Sequence, residues 1–228
     1  AEEMGCEVKW DEENKIANVI KYNIAEAKTP HDIILNAASY TKIILKEQEY
    51  DLSELDAINI DNPNVFADDT FDIVLNMGPF YHLITEEQRE KCMKECLRVL
   101  RKGGLLVTAY IPRYYIFQYI AMSDEKYLDE HLAKQLIDTG VLRHDDEKCF
   151  WTDTYYSSKG EMESIYQRHG LEIADHFAQD GLAPLLSQKV DKWDENQFKT
   201  WCDYHYSVCR EQSVLGASNH VVIIGRKK

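Results

Sequence analysis

The stretch from Thr70 to Ile111 constrains the fold more than any other part of the sequence. It begins with the short apolar run Phe71–Leu75, which is typical of a buried strand. From Thr85 to Leu100 apolar residues recur at helical spacing, and Leu105 to Ile111 has the composition of a second strand. A strand, a helix and a strand in close succession predict a βαβ unit, whose two strands are parallel. The fold class predicted from this unit is α/β.

The two ends of the predicted helix carry the expected signals. Thr85 and Gln88 have the spacing of a capping box, and the Lys102-Gly103-Gly104 segment is expected to stop the helix before the second strand. The first strand is expected to end at the Asn76-Met77-Gly78-Pro79 segment, where the chain must turn. These boundaries place polar and glycine positions directly after the first strand.

The remaining chain predicts further helices and strands around this unit. Apolar periodicity and breakers predict helices over Glu12–Lys28, Arg113–Met122, Asp124–Ile137, Ser158–His169 and Trp193–Cys209, and strands over Leu171–Phe177 and His220–Gly225. The last strand contains an uninterrupted V-V-I-I run that must be buried on both faces, so we expect it inside the sheet and antiparallel. We expect residues 1–228 to form a single domain, with residues 112–153 as a helical lid or insertion.

Composition narrows the classes of function. The 228 residues carry a formal net charge of -14, and such an acidic surface repels nucleic acid and anionic membranes. No apolar run approaches the length of a membrane-spanning helix, and the N-terminal residues do not form an export signal. Six scattered cysteines favour reduced thiols in a cytoplasmic protein. We expect a small-molecule partner, no nucleic acid, no membrane and no metal ion, and the oligomeric state is left open.

Four stretches of the sequence resemble one enzyme family. They are FDIVLNMGPFYHL from Phe71, ECLRVLRKGGLLVTAY from Glu95, FWTDTYY from Phe150 and SVLGASNHVVIIGR from Ser213. In this order they resemble the class I S-adenosylmethionine-dependent methyltransferases. The resemblance implies a doubly wound, mostly parallel sheet of seven strands with an antiparallel last strand, the Rossmann-like methyltransferase fold, with the helical insertion after the fifth strand. It also implies S-adenosylmethionine as cofactor, bound across the carboxyl ends of the early strands.

The resemblance also suggests which residues bind the cofactor. Asp56 and Ala57 stand where such enzymes place an acidic residue beside the adenine. The segment Asn76, Met77 and Gly78 stands where the fourth strand ends near the methionine moiety. These five residues are the predicted cofactor contacts, and Asp11 is added as the candidate for the acid that binds the ribose.

Residues on the loops above the sheet are expected to face the methyl acceptor. His82, next to Tyr81, could position or deprotonate an acceptor, so this pair is the candidate catalytic pair. Tyr110, Arg113 and Tyr114 are the candidate substrate-binding residues, since they follow the fifth strand. An aromatic acceptor pocket would also favour the positively charged sulfonium through its π faces.

The N-terminal part departs from the family pattern. The family has a glycine-rich loop after its first strand, whereas the only glycine before Gly78 is Gly5. In one interpretation the loop precedes Ala1, and Asp11 or Glu12 stands near the ribose. In the other, Ile34–Lys42 is a degenerate version of the loop. A chain without the loop's backbone contacts is expected to bind the cofactor weakly.

These observations leave three hypotheses about function. The first is an enzyme that transfers a methyl group from S-adenosylmethionine to a nitrogen or oxygen atom of a small molecule. The second is a catalytically impaired, methyltransferase-like binding module, suggested by the missing glycine loop. The third and weakest is a nucleotide-dependent oxidoreductase, suggested by the Tyr155-x-x-x-Lys159 spacing.

Overall fold

The computed structural model describes residues 66–228 in full and, before them, the backbone of two strands. The chain divides into two compact units, residues 1–63 and residues 64–228. Of the predicted site residues, Asp56 and Ala57 lie outside the described residues, as does the candidate loop at Ile34–Lys42.

The described part of the first unit is a β-hairpin. Strand β1 (Glu7–Asp11) pairs antiparallel with strand β2 (Ile16–Lys21). The helix predicted over Glu12–Lys28 is therefore wrong at β2. The isoleucine and valine spacing in I-A-N-V-I-K satisfies a helical pattern, but so short a segment cannot be distinguished from a strand by periodicity, and β-branched residues favour the strand.

The second unit alternates strands and helices along the chain. Its strands are β3 (Phe71–Asn76), β4 (Leu100–Tyr110), β5 (Val141–Leu142), β6 (Thr154–Tyr155), β7 (Leu171–Ala178) and β8 (Val221–Lys227). Its α-helices are α1 (Glu86–Val99), α2 (Arg113–Ser123), α3 (Glu130–Asp138), α4 (Lys159–Arg168), α5 (Ser187–Val190), α6 (Glu195–Val208) and α7 (Gln212–Leu215). Short 3-10 helices cover Pro79–His82, Glu125–Tyr127 and Ala183–Leu186. Among the described helices, none has the length and apolar character needed to span a membrane.

Within residues 66–228 the main sheet has the strand order β3-β4-β8-β7. Strands β3 and β4 are parallel, which confirms the βαβ unit predicted from the sequence. Strand β8 is antiparallel to both of its neighbours, β4 and β7, so β3, β4 and β7 all run in one direction. This doubly wound sheet of α/β class confirms the predicted antiparallel last strand inside the sheet.

The crossover helix α1 is built as the capping pattern predicts. The Thr85 hydroxyl accepts from the Gln88 backbone N–H at 3.2 Å, and the Gln88 side chain accepts from the Thr85 N–H at 3.1 Å. The helix ends at Val99, close to the predicted Leu100, but strand β4 starts at Leu100 rather than at the predicted Leu105. The two glycines form an irregularity within the strand, where the register shifts and Gly103 has a φ of 79°.

Strand β8 is the centre of the core. Its first five residues are all buried, as its apolar run predicts. Tyr166 of α4 packs over Gly225, where an added Cβ would come within 2.6 Å of the ring. The Tyr166 hydroxyl lies 2.8 Å from Oγ1 of Thr108 on β4, so the helix is tied to the sheet through a buried hydrogen bond.

Residues 112–153 contain the predicted helices, observed as α2 and α3. Together with the β5–β6 ladder they enclose a second hydrophobic cluster of Ile111, Ile116, Ile120, Leu132, Leu136, Leu142 and Tyr156. Asp129 caps α3 by accepting from the Leu132 N–H at 2.8 Å. The helical segment thus has a small core of its own. Its role as a lid, and the single-domain organisation, stay predictions.

Candidate active site

The carboxyl edge of the sheet gathers the ends of four strands. Strands β3, β4 and β7 end there, at Asn76, Tyr110 and Ala178. Because β8 runs in the opposite direction, it begins at this edge, at Val221. Open α/β sheets bind ligands at this kind of edge, where the connecting loops leave a crevice.

The end of β3 carries a polar side chain with an oxygen atom that the described residues leave unpaired. Asn76 is buried, and its Nδ2 donates to the Cys92 Sγ at 3.4 Å. Its Oδ1 is buried without a hydrogen-bond partner among the described residues. A hydrogen-bond acceptor left unpaired in this way costs free energy unless a ligand or water fills the position. Asn76 can therefore accept one more hydrogen bond at the strand end.

Cys92 lies behind this strand end and shares its helix with Cys96. The hydrogen bond from Cys96 lowers the pKa of Cys92 against the effect of burial, and the Asn76 amide lowers it further. The pKa of Cys96 is raised by the same contact and by burial. No cluster of metal-ligating side chains occurs within the part of the chain that the structure describes.

Gly78 leaves free space beside the backbone. A Cβ built on it would meet only the Tyr81 hydroxyl, at an ordinary contact distance of 3.7 Å. Its φ of -167° lies outside the positive range in which glycine is favoured. Met77 beside it is half-buried. The glycine therefore leaves room at the carboxyl edge.

Four aromatic rings meet above the end of β3. The Tyr81 ring lies 4.8 Å from that of His82, 6.2 Å from that of Trp151 and 6.4 Å from that of His220. The His82 and Trp151 rings are edge to face at 4.9 Å. Burial raises the pKa of Tyr81, so its hydroxyl is a neutral donor at physiological pH. The cluster presents π faces and a phenolic donor at the same edge.

His82 is held by the loop that precedes β6. Its Nδ1 lies 3.0 Å from the carbonyl oxygen of Asp153. A carbonyl can only accept, so Nδ1 carries the proton and Nε2 keeps a lone pair. Tyr81 and His82, the candidate catalytic pair, thus lie at this edge of the sheet, and their catalytic role stays a prediction.

A carboxylate and an imidazole meet where β7 ends and β8 begins. Asp180 Oδ2 lies 2.9 Å from His220 Nδ1, and Asp180 Oδ1 accepts from the His220 backbone N–H at 2.9 Å. The Ser218 hydroxyl also lies 2.8 Å from Asp180 Oδ1. These donors orient the carboxylate toward the ring. Among the described residues, His220 Nε2 has no hydrogen-bond partner.

Tyr115 brings a second phenol close to this carboxylate. Its side chain is fully buried, and its hydroxyl lacks a hydrogen-bond partner within residues 66–228. Burial, and after it the negative charge of Asp180, raise its pKa above the ordinary range. Tyr115 is therefore a neutral phenol whose hydroxyl has no hydrogen-bond partner among the described residues.

Tyr110 is a correction to the predicted acceptor pocket. Its ring is buried in the sheet core, and its hydroxyl lies 2.9 Å from Nε2 of His176 on β7. His176 Nδ1 in turn lies 3.1 Å from Glu163, so the imidazole is bonded at both nitrogens. The sequence could not show that the last side chain of β4 points into the core rather than toward the loops.

Arg113 is a second correction. Its guanidinium is buried and bonds the carboxylate of Glu161 at 2.6 Å and the carbonyls of Tyr156 and Ile137 at 3.3 and 3.1 Å. All of these hydrogen bonds are made to other residues of the protein. Arg113 therefore connects α2 to α4 and to the end of α3. Tyr114, by contrast, is exposed on α2, and its role stays a prediction.

Sequence reasoning missed the paired role of Asp180 and His220. His220 reads from the sequence as a sheet-edge residue, and Asp180 stands out in no motif. One feature of the sequence could have indicated the pair. Asp180 follows β7 and His220 precedes β8, and such positions fall on the same edge of the sheet when the two strands are antiparallel neighbours. This inference requires the strand order, which the sequence predicts only in part.

A groove of about 370 Å³ lies elsewhere in the second unit, lined by residues of α1, β6 and α4. Arg89 covers the Tyr155 ring there at 3.7 Å, and burial lowers the pKa of its guanidinium. None of the predicted site residues lines it. Tyr155 lies in strand β6 and Lys159 is the first residue of helix α4, whereas the oxidoreductase hypothesis requires both on one helix.

Comparison with known proteins supports the resemblance predicted from the motifs. Residues 19–108 match a family model described as a methyltransferase domain. A protein of Encephalitozoon cuniculi (strain GB-M1), provisionally named a methyltransferase, is 29% identical over 122 residues, which are 50% of this chain and 51% of that protein. The chain thus spans about half the length of the curated relative that it matches.

Solved structures similar to the chain include two archaeal proteins. A structure described as a SAM-dependent methyltransferase from Methanosarcina mazei is 14% identical, with 72% of this chain and 62% of that chain covered and a TM-score of 0.42. Another, from Archaeoglobus fulgidus, is 13% identical, with 75% and 66% covered and the same TM-score of 0.42.

The family match runs from β2 through the whole βαβ unit and ends at Thr108, near the end of β4. It therefore includes Asn76, Met77 and Gly78 together with Tyr81 and His82. The match over residues 19–108 confirms the predicted resemblance of this chain to the class I S-adenosylmethionine-dependent methyltransferases.

Proposed function

We propose that this protein is an enzyme that transfers a methyl group from S-adenosylmethionine to a nitrogen or oxygen atom of a small molecule. One observation carries the proposal: three features meet at the carboxyl edge of the sheet. They are the unpaired Asn76 Oδ1 at the end of β3, the aromatic cluster and the carboxylate–imidazole pair. The βαβ unit of this sheet lies in the segment that matches a methyltransferase domain. When bound, S-adenosylmethionine supplies an electrophilic methyl group on a sulfonium sulfur.

The residues at the end of β3 fit such a cofactor. The unpaired Oδ1 of Asn76 can accept from an ammonium or hydroxyl group, and the space beside Gly78 lets a ligand approach the backbone. We assign Asn76, Met77 and Gly78 to the cofactor on this basis. Asp56 and Ala57 remain predicted adenine contacts.

The boundaries of the family match support one interpretation of the missing glycine loop. The match begins at residue 19, so it contains Ile34–Lys42 and leaves out Asp11. We therefore propose that the 34–42 segment, with side chains where glycines are usual, stands in the place of the cofactor loop. Asp11, the last residue of β1, keeps only the role predicted from the sequence.

The acceptor is proposed to lie among the aromatic rings of Tyr81, His82 and Trp151. A planar or cationic small molecule would be stabilised there by ring faces and by the neutral phenol of Tyr81. Tyr114, exposed on the first turn of α2, is the remaining candidate contact. The net charge of -14 disfavours nucleic acid as the acceptor.

Methyl transfer needs little chemistry from the protein beyond alignment. Holding a nucleophile in line with the methyl carbon, with water excluded, is worth about 7 to 11 kcal/mol. The described residues supply an apolar, aromatic edge for this purpose. The catalytic interpretation therefore accounts for the family match better than the binding-module hypothesis.

The test is methyl transfer by the purified chain. The protein is incubated with S-adenosylmethionine labelled in its methyl group and with panels of small amines, phenols and carboxylic acids, and both labelled product and S-adenosylhomocysteine are measured. The expected result is equal release of both with at least one acceptor class. Stoichiometric binding of S-adenosylhomocysteine without transfer to any panel member would instead support the binding module.

A further inference from the structure

We propose that Asp180 and His220 form a proton-accepting pair for the methyl acceptor, with His220 Nε2 as the general base. The proposal rests on the proposed function and specifies its substrate class. The acceptor is a molecule whose nucleophilic nitrogen or oxygen carries a proton that must leave, such as a protonated amine or a phenol.

The hydrogen bonds around Asp180 determine the tautomer of His220. An ionised carboxylate can only accept, so the 2.9 Å contact from His220 Nδ1 requires the proton on Nδ1. The Asn219 amide, 3.1 Å from the same Nδ1, then lies beside a nitrogen that has no lone pair to offer. Nε2 is left as the basic nitrogen of the ring.

Asp180 is held in place by its own neighbours. Its Oδ1 accepts from the His220 backbone N–H, and the Ser218 hydroxyl lies within bonding distance. The Gly181 N–H donates to Ser218 Oγ at 2.8 Å, which fixes the serine in turn. A carboxylate oriented in this way holds an imidazole in one orientation and stabilises the imidazolium that forms when Nε2 takes a proton.

The His220 ring lies beside the aromatic cluster that forms the proposed acceptor site. The His220 ring is 6.4 Å from the Tyr81 ring, and its side chain is 32% exposed, so a ligand at the aromatic cluster can reach it. The titratable groups that face it are Asp180 after β7 and Tyr81 after β3, and the charge of Asp180 also acts on Tyr115 of α2. Both tyrosines have raised pKa values and stay neutral, so Asp180 is the one charged group of the three.

The proton and electron balance is simple. The acceptor N–H or O–H gives its proton to Nε2, and the electron pair of that bond remains on the acceptor atom. This pair forms the bond to the methyl carbon, while the electrons of the carbon–sulfur bond stay on the sulfur of the leaving S-adenosylhomocysteine. The imidazolium then releases its proton to solvent, and neutral His220 is restored.

The first part of the test needs no acceptor. In the 15N-labelled chain, the imidazole nitrogen shifts of His220 report which nitrogen is protonated. We expect the Nδ1–H tautomer in the wild type and its loss in Asp180→Asn, because an amide can donate to Nδ1 instead of accepting from it. A wild-type His220 protonated on Nε2, or tautomers equal in the two proteins, overturns the proposal.

The second part measures methyl transfer against pH. General bases contribute about a hundredfold or more, so we expect kcat in His220→Asn to fall by at least that factor. The variant's rate should then rise with pH as the acceptor itself loses its proton. His169→Asn is the matched control, since His169 contacts a carboxylate, Glu90, at 3.1 Å but ends α4 at the opposite edge of the sheet.

The outcomes separate the two proposals. A wild-type chain that transfers methyl groups while His220→Asn matches His169→Asn at every pH refutes the base and leaves the proposed function standing. A wild-type chain that transfers no methyl group to any acceptor refutes the proposed function and this proposal together. Circular dichroism melting of each variant shows whether a loss of rate comes from unfolding.

Discussion

The contacts of several single side chains in this protein cannot be predicted from their sequence context. Arg113 follows a proline after β4 and its position suggests a ligand-facing cation, yet each nitrogen of its guanidinium donates to Glu161 or to one of two backbone carbonyls. Tyr110 reads as a pocket residue but is bonded to His176 in the core. A sequence predicts that these residues lie near the edge, but only the packing of the neighbouring elements decides which way each points.

The buried ion pair of Arg113 should contribute strongly to stability. Removing one partner of a buried pair leaves unpaired polar groups, so Arg113→Met is expected to lower the free energy of unfolding by about 3 kcal/mol. This is the lower end of the usual range, because the Glu161 side chain is 39% exposed. Arg101→Met is the control: its pair with Asp72 is exposed, and about 1 kcal/mol or less should be lost. Urea denaturation of both variants measures the difference, and equal losses would contradict the structural role of Arg113.

The pH dependence of stability should report His176. Burial lowers its pKa below the ordinary value of 6.5, against the opposing effect of Glu163. In this situation the unfolded chain binds more protons, so stability is full above about pH 6.5 and falls as the pH drops toward the lowered pKa of the folded state. His176→Gln is expected to flatten this part of the profile. His131→Gln, in the exposed part of α3, controls for the loss of a histidine, and an unchanged slope in His176→Gln would show that His176 is not responsible.

At the scale of secondary-structure elements, signals local to the chain were reliable. The capping box at Thr85, the strand β8 and the helices α2, α4 and α6 agree with the sequence within a few residues, because each depends on neighbours along the chain. The hairpin strand β2 was missed, since six residues satisfy a helical pattern and a strand equally well. The start of β4 is predicted five residues late, at Leu105, because the Gly103-Gly104 pair suggests a turn but forms an irregularity inside the strand.

The capping box of α1 can be tested by one substitution. Thr85→Ala removes the hydroxyl that accepts from the Gln88 N–H, so we expect the free energy of unfolding to fall by about 1 kcal/mol. Thr200→Ala is the matched control inside α6, where the threonine hydroxyl only returns to the Asn196 carbonyl. The control should change stability by about 0.5 kcal/mol or less. Thermal unfolding of the two variants decides, and similar losses in both would argue against a capping contribution.

At the scale of the whole molecule, the candidate site depends on contacts between distant parts of the chain. Asp180 and His220 are 40 residues apart and meet only because β8 returns antiparallel beside β7. The sequence predicted the end of β3 as a ligand position, since a βαβ unit locates that edge by itself. It could not predict the pair across β7 and β8, because the order of those strands follows from packing of the complete sheet.

The central claim is that the carboxyl edge at the end of β3 binds S-adenosylmethionine, and calorimetric titration with S-adenosylhomocysteine tests it most directly. We expect one site in the wild type and at least a tenfold weaker site in Gly78→Val, whose branched side chain fills the open space. The melting temperature should be nearly unchanged, because a Cβ at Gly78 would meet only the Tyr81 hydroxyl, at 3.7 Å. Absence of binding at millimolar concentrations, or equal affinity in the wild type and Gly78→Val, would contradict the account.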